Sequence, residues 1–129
     1  MGRMGSGIAK TMREKFPNVY VEYMAKCNAE GATPDGLLGD AQFVFCGEQT
    51  VVNMFAQRNY GYDGMLYTNY EAFQSCLKQI RKYIPVGKTI AFPYRIGCGL
   101  GGGKWEIVVA MIQKELGDDY EIEVWKYNP

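Results

Sequence analysis

Gly97-Cys98-Gly99-Leu100-Gly101-Gly102-Gly103 is a glycine-dense stretch set between two unlike segments. Before it, Lys88-Thr89-Ile90-Ala91-Phe92-Pro93 reads as a buried strand. After it, Lys104 to Ile112 reads as a helix with a largely apolar body. Strand, glycine loop, helix is a common way to cradle a phosphate. Glycines let the backbone approach an anion and aim several N–H groups at it. The helix N-terminus adds about half a positive charge. The chemistry on offer is therefore anion binding, and a phosphorylated small molecule such as a nucleotide is the expected ligand.

Gly97-x-Gly99-x-x-Gly102 matches the dinucleotide fingerprint and has its strand-to-helix setting. That fingerprint normally opens a dinucleotide fold. Here too little chain follows Gly102 to complete one. The mononucleotide P-loop does not fit either. Counting back from Lys104, its first glycine falls on Cys98, and its Ser/Thr falls on Trp105. A second small-residue turn, Met4-Gly5-Ser6-Gly7, also feeds a helical segment, Ile8 to Phe16. Two glycine turns, each opening a helix, suggest one shared ligand.

The bulk numbers narrow the classes. The chain has 129 residues, which suits a single domain over 1–129. Fourteen basic and 14 acidic side chains balance, which argues against a nucleic-acid-coating protein. There is no histidine, so His-activated nucleophiles, His bases and His-containing zinc sites are excluded. Cys27, Cys46, Cys76 and Cys98 form no Cys-x-x-Cys pair and read as free thiols in a reducing cytoplasm. No apolar run has the length of a membrane span, and the N-terminus has no signal-peptide pattern. No metal or cofactor is expected.

The elements that must position these loops follow from periodicity. Pro17 starts a helix in which Val21, Met24, Ala25 and Cys27 recur at helical spacing, and Gly31 ends it. Residues 31–39 read as loop. Ala41–Cys46 and Thr50–Gln57 read as a hairpin closed near Gly47-Glu48-Gln49. Residues 58–66 are polar, with Gly61, Asp63 and Gly64. Tyr67–Tyr83 reads as a long amphipathic helix burying Ala72, Phe73, Cys76, Leu77 and Ile80. Tyr120–Tyr127 closes the chain as a strand. The order α-α-β-β-α-β-α-β ends in βαβαβ, which implies largely parallel pairing.

The two glycine motifs together resemble a family. Met4-Gly5-Ser6-Gly7-Ile8-Ala9-Lys10, running to Lys15-Phe16-Pro17, resembles the first ligand loop and helix of macro domains. Pro93-Tyr94-Arg95-Ile96-Gly97-Cys98-Gly99-Leu100-Gly101-Gly102-Gly103-Lys104-Trp105 is similar to their second loop. The match is nearest to the ADP-ribose-1″-phosphate phosphatase-like and ADP-ribosyl-ester hydrolase-like branch. Val52 to Gln57 and Thr68 to Ala72 also fit, so the resemblance spans the chain. It implies an α/β fold, a three-layer α/β/α arrangement with a mixed sheet. It also implies ADP-ribose, or a derivative carrying a group on its distal ribose, as ligand. Gly5, Ser6, Gly7 and Ile8 would flank the distal ribose and its phosphate. Gly97, Cys98, Gly99, Leu100, Gly101 and Gly102 would wrap the diphosphate.

Two departures from that family bear on structure and chemistry. Macro domains normally place two strands before the first loop, and one of them carries an Asp that holds adenine. This chain starts after both, which reads as an N-terminal truncation relative to the family. The expectation is a gap between the strands at 50–57 and 88–94, or a homo-oligomer that completes the sheet. The second departure concerns a Lys–Asp pair used by one esterase branch. Its positions fall near Gln57 or Arg58 and on Gly101, so the pair is absent. The remaining side-chain candidates for catalysis are Asp63, Tyr67 and Lys104, beside orientation and backbone electrostatics. Trp105 reads as a core anchor beneath the loop, and Cys98 as a small packing residue. Three readings stay open: a hydrolase of ADP-ribose derivatives, a non-catalytic ADP-ribose reader, and an inactive fragment. Neither a membrane nor a nucleic acid is expected as partner.

Overall fold

The computed structural model describes residue 12 and residues 14–56, 69–96 and 104–126. The elements run α1 (Pro17–Cys27), α2 (Pro34–Leu37), β1 (Ala41–Cys46), β2 (Gln49–Met54), α3 (Tyr70–Tyr83), β3 (Thr89–Pro93), α4 (Trp105–Leu116) and β4 (Glu121–Trp125). The single turn α2 lies inside the stretch that reads as loop. Pro34 supplies a first-turn φ, and the Leu37 N–H returns to the Thr33 carbonyl at 3.0 Å.

β1 and β2 form the expected antiparallel hairpin, with Cys46 opposite Gln49. Gly47 takes φ +69 at the first central position of the two-residue turn, the place where a primed turn needs glycine. The hairpin's two faces are both used. Val44 and Val51 pack with Val19 of α1, and Phe43, Val52 and Met54 pack toward α3 and α4. This gives helix, sheet and helix layers, an α/β architecture. α1 turns Val19 inward, with Tyr20 and Tyr23 beside that cluster, and leaves Val21 63% exposed. Val21 therefore lies off the buried face that its spacing suggests.

α3 shows how local sequence sets an element. Asn69 is its N-cap, and the Asn69 side chain accepts the Ala72 N–H at 2.9 Å. Glu71 sits in the first turn and Arg81 and Lys82 in the last, matching the helix dipole. The cap starts the helix at Tyr70, later than the expected Tyr67, which lies outside the described residues. Pro85 forces Ile84 into an extended conformation and stops the helix. Replacing Asn69 by Ala is expected to cost about 1 kcal/mol of stability, read from urea unfolding.

β3 and β4 pair in parallel, with Phe92 opposite Val124, and α4 connects them. The buried face of α4 is Val108, Ile112 and Leu116 at four-residue intervals. These residues join Phe73, Leu77, Ile80, Phe92 and Tyr120 in one core cluster. Tyr120 is buried, and its hydroxyl donates to the Ile84 carbonyl at 2.6 Å. Among the described residues the strands form two separate two-stranded sheets. Parallel pairing is therefore confined to the second βαβ unit, and the interruption falls between β2 and β3. No described helix is long and apolar enough to cross a membrane.

Cys27 and Cys46 are half-buried and Cys76 is fully buried, all as free thiols. Burial pushes the Cys76 thiol up to about 11. A hydrogen bond from the Phe55 backbone opposes that shift, and the Asp40 charge adds to it. Its Sγ donates to the Asp40 carbonyl at 3.2 Å. The thiolate is the reactive form, so Cys76 is expected to stay unmodified by iodoacetamide at pH 8 in the folded chain. Modification after unfolding, located by mass spectrometry, supplies the contrast. The raised value also sets a sign for stability. Between about pH 9 and 11 the unfolded thiol loses its proton while the folded one keeps it, so stability falls through that window. Replacing Cys76 by Ala removes that part of the slope.

Candidate functional site

The flanks of the glycine loop are held on both sides. β3 ends at Pro93, and the Tyr94 N–H donates to the Trp125 carbonyl at 2.7 Å, carrying the parallel ladder one residue further. Arg95 then takes φ +60, a left-handed conformation that a non-glycine residue seldom adopts. It turns the chain away from the sheet, and the Ile96 N–H closes back on the Pro93 carbonyl at 3.1 Å. On the other side Lys104 is the N-cap of α4, extended and exposed. Its carbonyl accepts from both Ile107 and Val108 at 3.1 Å. The Lys104 side chain makes no capping hydrogen bond, and the first turn of α4 carries the positive end of the helix dipole.

Trp105, the first helical residue, is half-buried against the core cluster. Its ring meets Tyr94 edge to face, with centroids 5.2 Å apart. Lys126 lies over the other ring of that pair, its Nζ 5.8 Å from the Tyr94 centroid. Trp125 is 61% exposed, and its indole N–H donates to Glu123 at 2.9 Å. The loop flanks thus carry three cations, Arg95, Lys104 and Lys126, beside exposed aromatic rings. An anion attached to a planar or ribose-like group suits that chemistry.

A second connection reaches the same place from far along the chain. The Asn69 N–H donates to the Ala56 carbonyl at 2.7 Å. The excursion over residues 57–68 therefore starts and ends at one point. Tyr70, next in line, accepts the Lys104 N–H on its hydroxyl at 2.9 Å. The ends of the 57–68 segment and the exit of the 97–103 segment are thereby tied together.

Of the residues singled out from sequence, Lys104 is placed at the helix start, exposed, at the loop exit. Trp105 is the core anchor expected of it. Gly5, Ser6, Gly7, Ile8, Asp63, Tyr67, Gly97, Cys98, Gly99, Leu100, Gly101 and Gly102 lie outside the described residues. Tyr70 and Tyr94 are the site-flanking residues that the sequence reading did not assign a role. Both sit within the motifs quoted for the resemblance, but their contacts span the fold and leave no local pattern. No group of metal-binding side chains occurs among the described residues.

No family model and no curated protein matches the sequence. Solved structures do. A protein from Bacteroides thetaiotaomicron superposes with a TM-score of 0.80 at 26% identity, over 98% of this chain and 82% of its own. The macrodomain of Thermus aquaticus DarG gives 0.69 at 25% identity, over 99% of this chain and 83% of its own. Thermosipho africanus DarTG, solved in complex with ADP-ribose, gives 0.71 at 21% identity, over 98% of this chain and 35% of its own. The arrangement of helices and strands that carries the glycine loop is shared across nearly the whole chain, and the fold of this protein is the macro domain fold.

Proposed function

We propose that this chain, acting as one domain, binds ADP-ribose or a distal-ribose derivative of it, and hydrolyses such a derivative. The substrates that fit are ADP-ribose-1″-phosphate and O-acyl or protein esters of ADP-ribose. The observation that carries the reading is the Tyr70–Lys104 hydrogen bond. It joins the ends of the 57–68 segment to the start of α4, where a diphosphate would be held. In this reading Gly5, Ser6, Gly7 and Ile8 flank the distal ribose, and Gly97 to Gly102 wrap the diphosphate. Asp63, Tyr67 and Lys104 are the side chains that could assist a bound water. Thermosipho africanus DarTG, which shares this fold over 35% of its own chain and was solved in complex with ADP-ribose, supports the choice of ligand. The free thiols suit a reducing compartment, the cytoplasm.

A second reading, a non-catalytic ADP-ribose reader, is favoured by one observation. Gln57 or Arg58 and Gly101 stand where one esterase branch has its Lys–Asp pair. The test is a calorimetric titration of the purified chain with ADP-ribose, with AMP and NAD as controls. Micromolar affinity selective for ADP-ribose is expected. Turnover of ADP-ribose-1″-phosphate or of an acyl ester then separates hydrolase from reader. A cooperatively folded chain that binds none of the three would overturn both.

A further inference from the structure

The ring and the hydroxyl of Tyr70 have separate roles. The ring packs, half-buried, against the core cluster. The hydroxyl reaches past it and accepts the Lys104 N–H at 2.9 Å. Tyr120 is built in the same way at the other end of α3. Its ring belongs to that cluster, and its hydroxyl donates to the Ile84 carbonyl at 2.6 Å. The 12 residues of α4 separate the two places, about 18 Å along the helix. Either hydroxyl can be removed with its ring left in place.

Tyr70 stands on a base that is fixed without it. The Asn69 N–H donates to the Ala56 carbonyl at 2.7 Å, just past β2. The Asn69 side chain caps the Ala72 N–H, and its carbonyl accepts the Phe73 N–H at 2.9 Å. On the receiving side both backbone groups of Lys104 are engaged. Its N–H is on Tyr70, and its carbonyl takes Ile107 and Val108. A tilt of Lys104 is therefore passed to the first turn of α4. The Trp105 and Glu106 N–H groups come next, in the stretch of a helix where donors have no partner inside it. Such donors hold an anion well only when aligned on it. Lys104 is exposed, so water can replace the lost acceptor at little cost in stability. Water does not tie α4 to α3.

We infer that Tyr70 is a positioning residue for ligand binding: through the Lys104 N–H its hydroxyl sets the direction of the first turn of α4, and with it the affinity for ADP-ribose. The inference rests on the reading that a diphosphate is held at that helix start.

The test compares Tyr70→Phe with Tyr120→Phe in the full chain. Urea unfolding reads stability, NMR reads exchange of the Lys104 amide, and calorimetric titration reads affinity for ADP-ribose. Tyr70→Phe is expected to keep a urea midpoint close to wild type, to exchange the Lys104 amide at least about tenfold faster, and to bind at least about fivefold more weakly. Tyr120→Phe strips a buried donor from the Ile84 carbonyl. It is expected to lower the midpoint further than Tyr70→Phe and to bind with unchanged affinity. A merely structural tyrosine would lose affinity only as it loses stability. An affinity loss in Tyr120→Phe equal to that in Tyr70→Phe therefore overturns the inference, as does a Tyr70→Phe chain that fails to fold. Wild type that binds ADP-ribose while Tyr70→Phe binds it equally well overturns this inference alone. Wild type that folds and binds no ADP-ribose overturns the reading of the site, and the inference with it.

Discussion

Replacing Leu77 by Ala is expected to lower the unfolding free energy by about 3 kcal/mol, within the range for emptying a close-packed leucine site. Leu77 is fully buried at the centre of α3's inner face. Its cluster gathers Phe73 and Ile80 from α3, Phe92 from β3, Val108, Ile112 and Leu116 from α4, and Tyr120 before β4. Few neighbours can collapse into the space, because they sit on three different elements. A domain of this size is stable by roughly 5–15 kcal/mol, so the loss is a large share of the whole. Urea unfolding should show a lower midpoint with an unchanged slope. Lys78, the next residue, is exposed, and its Ala variant should stay within about 0.5 kcal/mol of wild type. A Leu77→Ala loss below about 1 kcal/mol would mean that this cluster does not hold the second βαβ unit together.

What could be read from sequence was local and periodic. The buried face of α3, Ala72, Phe73, Cys76, Leu77 and Ile80, was legible residue by residue, because helical spacing and a strong polar face specify it. The hairpin strand Ala41–Cys46 was legible to its ends, since Gly47 marks the turn. The strand–loop–helix setting of the glycine run was legible as well, and β3 and α4 occupy it. Three things were not. Val19 rather than Val21 faces inward on α1, and that choice is made by the hairpin it packs on, through Val44 and Val51. The turn α2 is too short to show a period. The link from Tyr70 to Lys104 joins residues far apart in the chain through one hydroxyl, and no spacing rule encodes it.

Trp105 is where the fold and the proposed site meet, and its replacement by Ala carries the second large effect. The indole packs on the core cluster and edge-on to Tyr94, so it fixes the start of α4 relative to the end of β3. Those two points are the anchors of the glycine loop. Truncation removes apolar burial and the aromatic pair together, an expected loss of about 2–3 kcal/mol, less than for a fully buried tryptophan. The anchors would then separate or rotate, and backbone N–H groups aimed at a diphosphate tolerate little displacement. Affinity in the calorimetric titration should therefore fall by at least about tenfold, which is about 1.4 kcal/mol. Trp105→Phe, which keeps a ring on the core and against Tyr94, should recover most of both losses. Lys104→Ala provides the contrast. Its side chain is exposed and caps nothing, so stability should hold while affinity falls by no more than a surface charge contributes, about 1 kcal/mol. If Trp105→Ala destabilises the chain yet binds with unchanged affinity, the loop is positioned by something other than the Tyr94–Trp105 contact.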